Sequence, residues 1–169
     1  MERLNDELLI RASGPASGLL LAWKVAQNAV KSASGVASEA ARILHFLRAA
    51  GLNTPLACTR KTGPGGRALA ARGVWAGGAM MHRLGLSETL LVFPKHRLLI
   101  ASAELAARLA ALRQRLLDKG LRPLIAPAGG VTAANALDCA RAGANLLVSS
   151  APYFAPPADV KVVFEADRP

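Results

Sequence analysis

The chain has 169 residues, a net charge of +10, 52% hydrophobic residues and only 4% aromatic ones. That length is one domain's worth and hides roughly 70% of the unfolded surface, so global disorder is excluded and a core must be built from Ala, Leu and Val. No apolar run approaches the ~20 residues that span a bilayer, and Cys58 and Cys139 are not spaced as a metal-binding pair.

Residues 1–18 are weakly patterned, and Ser13-Gly-Pro-Ala-Ser-Gly18 reads as a loop. Leu19 to Ala50 reads as helix. Gly35 marks either a break into two pieces or a tight helix contact, because glycine costs about 1 kcal/mol in a helix interior. Ile43, Leu44 and Leu47 line one face, and Gly51 ends the run. Leu56 to Thr59 is a short apolar strand between Pro55 and the Gly63-Pro-Gly-Gly66 loop. Arg67 to Ala76 reads as helix, and Thr89 to Phe93 as strand. Ser102 caps a helix in which Leu105, Leu109, Leu112 and Leu116 recur at helical spacing up to Gly120. Pro123 to Ala126 is a further strand. Gly129-Gly130 opens a helix running to Ala142, with Thr132 as N-cap and Gly143 at the C-cap. Asn145 to Ser149 is the last buried strand, and Val160 to Phe164 an edge strand.

Strands alternating with helices predict a parallel α/β sheet or barrel, in which ligands gather at the C-terminal ends of the strands. The polar clusters fall at those ends: Thr59 to Thr62, Pro94 to His96, Ala128-Gly129-Gly130, and Ser149-Ser150. The charge agrees with them. From Leu8 to Ser87 there are ten basic residues and one acid, Glu39, a field that attracts polyanions. Arg60 offers a planar fork and Lys61 a point charge for carboxylate or phosphate. Gly129 and Gly130 leave backbone N–H groups for a phosphate, although a glycine pair before a helix is more often only a turn. His82 beside Arg83 suits a substrate carboxylate, although a lone histidine is more often structural. No acid pair stands out for general acid–base work, and no carboxylate cluster for a metal. The acidic opening Met1 to Glu7 is unlike a secretory signal, and two isolated thiols suit a reducing compartment, so the protein is expected in the cytoplasm and off the membrane.

Thr59-Arg-Lys-Thr62, Pro64-Gly-Gly-Arg67, Gly77-Gly78 and His82-Arg-Leu-Gly-Leu86, in that order, resemble the signature of the quinolinate phosphoribosyltransferases (nicotinate-nucleotide pyrophosphorylases). Ala22-Trp-Lys-Val-Ala-Gln-Asn28, Arg83 to Thr89 and Ser149-Ser-Ala-Pro-Tyr-Phe154 look most like the ModD branch, which is associated with molybdate transport. The resemblance covers about Leu19 to Lys161, with gaps. It implies an incomplete TIM-like α/β barrel with about four strands, residues 51–169, behind an N-terminal helical segment, residues 1–50. It also implies transfer of phosphoribosyl from phosphoribosyl pyrophosphate to a small acidic, pyridine-type acceptor, by a homodimer.

The roles follow the same resemblance. Arg60 and Lys61 would bind pyrophosphate or carboxylate, and His82 and Arg83 would face the acceptor. Ala128, Gly129 and Gly130 would hold the 5′-phosphate, with Thr59, Thr62, Ser149 and Ser150 around it. Lys24 stands where the family has an Arg contributed across the dimer. Mg2+ would accompany the pyrophosphate. This chain departs from the family in three places. Phe93-Pro94-Lys95-His96 replaces the catalytic Lys-Asp-Asn-His, leaving Lys95 as the nearest cation. Ala128 and Ser150 replace a Ser and a phosphate-binding Gly. Between Gly120 and Pro123 two strand–helix units carrying the family's Glu and Asp are missing, and most of the N-terminal domain is missing too. Two other readings stand beside the transferase: an inactive remnant that binds phosphate or dimerises, and a basic nucleic-acid module. The last lacks aromatic stacking platforms and any reading motif, so nucleic acid is not expected as a partner.

Overall fold

The computed structural model describes residues 8–83, 107, 110–111, 114–120 and 124–166. The expected strand at Thr89–Phe93, the cap at Ser102 and the start of the leucine-lined helix lie outside these residues. Helical conformation is present at 114–118, where Gln114 Nε2 donates to Asp118 Oδ1 at 2.8 Å.

The first helix, α1, runs unbroken from Ala16 to Ala49. Its 34 residues make a rod of roughly 51 Å. Only its second half is a core helix: Val36, Ala40, Ile43, Leu44 and Leu47 are buried at i, i+4, i+7, i+8 and i+11. Gly51, at φ 73°, ends it as expected. Strand β1 (Leu56–Cys58) follows, then α2 (Arg67–Ala76), then β2 (Met80–Met81). Helix α3 (Ala136–Arg141), strand β3 (Leu147–Ser149) and a 3₁₀ turn (Ala151–Phe154) complete the described elements.

The sheet is parallel, in the order β2-β1-β3. All three residues of β1 and of β3 are buried, as expected of parallel strands covered on both faces. Ile43, Leu47, Leu56, Val74, Val131, Cys139 and Leu147 fill the core between sheet and helices.

Gly35 does not break α1. It is a close-contact position, because a Cβ there would collide with the Pro156 carbonyl oxygen. The same device joins α1 to α2. A Cβ on Gly73 would lie 2.7 Å from the Ala33 carbonyl oxygen, and one on Gly77 would strike the Ala37 carbonyl oxygen. Small residues on both helices let the backbones approach.

Three expectations are corrected, and one strand was not anticipated. The helix after Gly130 begins at Ala136, and its N-cap is Asn135, not Thr132. The Asn135 Oδ1 accepts from the Thr132 N–H at 2.8 Å, so the asparagine turns the chain and the threonine side chain stays exposed. Residues 124–127 lie beside β3 but form no strand; Pro127 interrupts the segment, leaving one bridge from Ala128 to Val148. β2 was not anticipated, since two methionines carry no alternation to read.

Val160 to Phe164 form no edge strand. Residues 156–164 lie along the exposed half of α1 instead. Ala158 N donates to the Lys31 carbonyl at 2.9 Å, Gln27 Nε2 donates to the Val160 carbonyl at 2.7 Å, and Lys31 pairs with Asp159 at 3.5 Å. Trp23 and Phe164 meet edge to face, 5.7 Å between centroids.

Gly73→Ala is expected to lose about 1–3 kcal/mol, since overpacking outweighs the ~1 kcal/mol of helix propensity gained. Gly63→Ala, where an added Cβ meets nothing within 4 Å, should stay within about 0.5 kcal/mol. Denaturant titration of the two variants beside the parent checks both.

Candidate functional site

The register of β1 assembles the site. Cys58 pairs with Met81 on one side and with Ser149 on the other. One residue further on, Thr59 is level with His82 and Ser150. The ladder continues across this rung: Thr59 N donates to the Ser149 carbonyl and His82 N to the Cys58 carbonyl, each at 2.9 Å. The Thr59 and Ser150 hydroxyls are hydrogen-bonded to each other at 2.6 Å. On the far side of β3, Ala128 pairs with Val148, which brings Gly129 and Gly130 level with Ser149 and Ser150. The C-terminal edge of the sheet thus gathers Thr59, Arg60, His82, Arg83, Ala128, Gly129, Gly130, Ser149 and Ser150.

Arg60 is half-buried and Lys61 exposed, at the start of the loop that leads into α2. The loop folds back tightly. Thr62 N donates to the Arg60 carbonyl at 2.8 Å, Lys61 N to the Thr59 hydroxyl at 3.3 Å, and Gly66 N to the Gly63 carbonyl at 3.0 Å. His82 and Arg83 are half-buried. Among the described residues none of these cations has a carboxylate partner, and the two ion pairs, Arg42–Glu39 and Lys31–Asp159, both involve α1. Unpaired cations at a strand end are available to an anionic ligand.

The glycine turn is clamped from two sides. Gly129 and Gly130 take φ 92° and 71°, conformations open to glycine and strained for other residues. Asn135 Nδ2 donates to the Gly130 carbonyl at 2.8 Å, and Ser149 Oγ to the Val131 carbonyl at 2.5 Å. Ser149 is buried and also accepts from Ala151 N at 2.9 Å, so its side chain holds the turn.

Among the described residues no contact brings Lys24 to this edge. It sits on the exposed half of α1, its Nζ 3.1 Å from Gln27 Oε1 and 5.0 Å from the Trp23 ring centroid. Lys95 lies outside the described residues. Two participants went unread in the sequence. Asn135 had a signal, an Asx residue just before a helix. Tyr153 had none, since its partners lie over seventy positions away: its hydroxyl donates to the Thr59 carbonyl at 2.7 Å and lies 3.4 Å from Met81 Sδ. Burial, and then the neighbouring Cys58, raises the Tyr153 phenol above its ordinary pKa. Burial also pushes the Cys58 thiol up to about 12.

A protein-held magnesium ion does not fit the described part of this edge. Magnesium wants hard oxygen donors, chiefly carboxylates. The described residues hold no group of three His, Cys, Asp or Glu suited to a metal. The side chains here are cations, which would repel a metal ion, and hydroxyls that already bond each other or the backbone.

Parallel strands with basic and glycine-rich exits define an α/β protein whose strand ends suit anions, and known proteins share this fold. Residues 36–117 match the family described as Quinolinate phosphoribosyl transferase, C-terminal domain. The crystal structure of NadC from Streptococcus pyogenes superposes with a TM-score of 0.67 at 19% identity, over 86% of this chain and 65% of that one. The fold is therefore of the incomplete TIM-like α/β kind. The protein of Rhodobacter capsulatus named "Putative pyrophosphorylase ModD" is 43% identical over 143 residues, 85% of this chain and 53% of that protein. Its namesake in Pasteurella multocida is 35% identical over 202 aligned positions, covering 94% of this chain and 72% of the relative. The chain belongs to the quinolinate phosphoribosyl transferase family, among its ModD members. It spans about half the length of the Rhodobacter relative. The Pasteurella alignment has more positions than this chain has residues, so internal positions of that relative have no counterpart here.

The thiol shift sets a pH dependence. Cys58 stays protonated in the folded state up to about 12, whereas the unfolded thiol ionises from about 9, so the folded state binds more protons between those values. Stability should therefore fall as pH rises through that window. Cys58→Ala should flatten the fall by up to about 1.4 kcal/mol per pH unit, measured by denaturant unfolding at several alkaline pH values.

Proposed function

We propose that the chain is a pyrophosphorylase-type phosphoribosyltransferase, taking phosphoribosyl pyrophosphate and a small pyridine-carboxylate-like acceptor in the cytoplasm. The observation that carries this reading is the single rung of the sheet on which Thr59, His82 and Ser150 stand level, with Arg60 and Arg83 next along their strands. In such a transfer pyrophosphate leaves the ribose carbon as that carbon becomes cation-like. The barrier falls when fixed positive groups meet the charge developing on the leaving group. We assign that work to Arg60 and Lys61. Gly129 and Gly130 would offer backbone N–H groups to the 5′-phosphate, with Thr59, Thr62 and Ser150 assigned to the space between. His82 and Arg83 suit the acceptor's carboxylate. Lys95 is assigned a supporting charge where the family carries its catalytic Lys-Asp-Asn-His.

Magnesium is proposed to reach the site on the pyrophosphate's own oxygens, and no step is assigned to it. Lys24 is proposed to act in the partner subunit of a homodimer, since it stands away from this chain's own strand ends. A link of the acceptor to molybdenum handling is proposed from the resemblance to the ModD branch alone.

A second reading is favoured by the alignment positions missing from this chain: a protein that keeps the phosphate pocket without turnover. Quench-flow analysis of a single turnover separates the two. Nucleotide product with quinolinate or another pyridine acid supports the transferase, and binding without product supports the second reading.

Phosphoribosyl pyrophosphate at 100 times its dissociation constant should add about 2.7 kcal/mol, a thermal shift of roughly 5–10 °C for a chain this size. Arg60→Ala combined with Lys61→Ala should abolish that shift, and an unchanged shift would count against the site. Chelation of magnesium should leave the shift induced by inorganic pyrophosphate in place.

A further inference from the structure

We propose that Tyr153 is a positioning residue for the anion site, locking the exits of β1 and β2 together so that the cations following each strand face one ligand. The proposal rests on the polyanion reading above.

The geometry is specific. Tyr153 arrives from the 3₁₀ turn that follows β3, so its side chain ties three chain segments together at one point. Its hydroxyl donates to the Thr59 carbonyl at 2.7 Å, and that carbonyl belongs to the peptide leading directly into Arg60. The same oxygen lies 3.4 Å from Met81 Sδ, one residue before His82 and two before Arg83. One phenol proton serves one acceptor well. The carbonyl takes it, and the sulfur is a weak second contact.

Thr59 is then held at every polar group: its N–H by the Ser149 carbonyl, its hydroxyl by Ser150, and its carbonyl by Tyr153. Arg60 is the first residue past this fixed point. Its peptide plane, and the direction in which the Arg60–Lys61 loop departs, depend on the carbonyl staying where the phenol puts it. The ring packs against the core cluster, so the hydroxyl is presented from a rigid base. An anion bridging the two cation pairs needs both strand exits at a fixed separation, and preorganised donors bind better than ones that must be ordered by the ligand.

The phenol stays protonated, and therefore a donor, throughout the neutral range, because burial raises its pKa. A pH profile near neutrality would not report on it, and a coupling experiment does. Tyr153→Phe keeps the ring and its packing while deleting only the donor. The dissociation constant of inorganic pyrophosphate is measured by calorimetry for the parent, Tyr153→Phe, Lys61→Ala and the double variant, with the melting temperature of each recorded without ligand.

The expected result is a cooperative melt for Tyr153→Phe with binding about fivefold to tenfold weaker than the parent. In the Lys61→Ala background the same change should cost less than about twofold, because the loop it positions has lost a ligand contact. Equal weakening in both backgrounds would show a general packing role and overturn the proposal. An unchanged dissociation constant for Tyr153→Phe beside a binding parent would overturn it while leaving the polyanion reading intact. A parent that does not bind pyrophosphate would remove that reading, and the role of Tyr153 with it.

Discussion

The pairing of the short central strand β1 on both its sides governs the layout of the sheet's functional edge. Its three buried residues, Leu56, Ala57 and Cys58, have side chains almost wholly withdrawn from water. Both faces of this strand are covered, and slipping it by one residue would draw polar Thr59 or Pro55 into the buried stretch, so the register is specified. The register then decides which polar residues emerge together. Thr59, His82 and Ser150 come level because Cys58 is fixed between Met81 and Ser149. The chemistry at the sheet's edge is therefore a consequence of packing beneath it.

The helices serve that strand through close approach of small residues. Ala33, Ala37 and Ala40 on α1 face Gly73 and Gly77 on α2. Removing side chains from a contact normally sacrifices buried area, but here it lets two backbones come together over a core that is short of aromatics. Larger residues at these positions would push α2 outward and carry with it the loop that holds Arg60 and Lys61.

Much of this was legible in the sequence where punctuation was strong. Pro55 and the Gly63–Gly66 loop bracketed β1, and α2 occupies the expected span from Arg67 to Ala76. The polar clusters after β1 and β3 also showed in advance, because short buried strands bounded by turn residues leave polar residues at their exits. What stayed hidden depended on distant partners. β2 exists only as a neighbour of β1, since Met80 and Met81 have no strand signature of their own. Val160 to Phe164 look like a strand, yet Pro156 and Pro157 set the segment against α1, where Gln27 and Lys31 satisfy its backbone. Tyr153 was unreadable as a site residue because its role lies in contacts 94 and 72 positions away.

The segment along α1 has a further effect. Among the described residues, the buried positions of that helix begin only at Gly35, and isolated helical turns are marginal in water. Among the described residues, its support comes from residues 156–164, joined to it by a helix carbonyl, a glutamine, an ion pair and one aromatic contact. Early and late stretches of the chain are thereby coupled into one cooperative unit. Disturbance of the late stretch would be felt first as fraying of the helix around Trp23 and Gln27, far from the altered residues in sequence, while the sheet stayed protected.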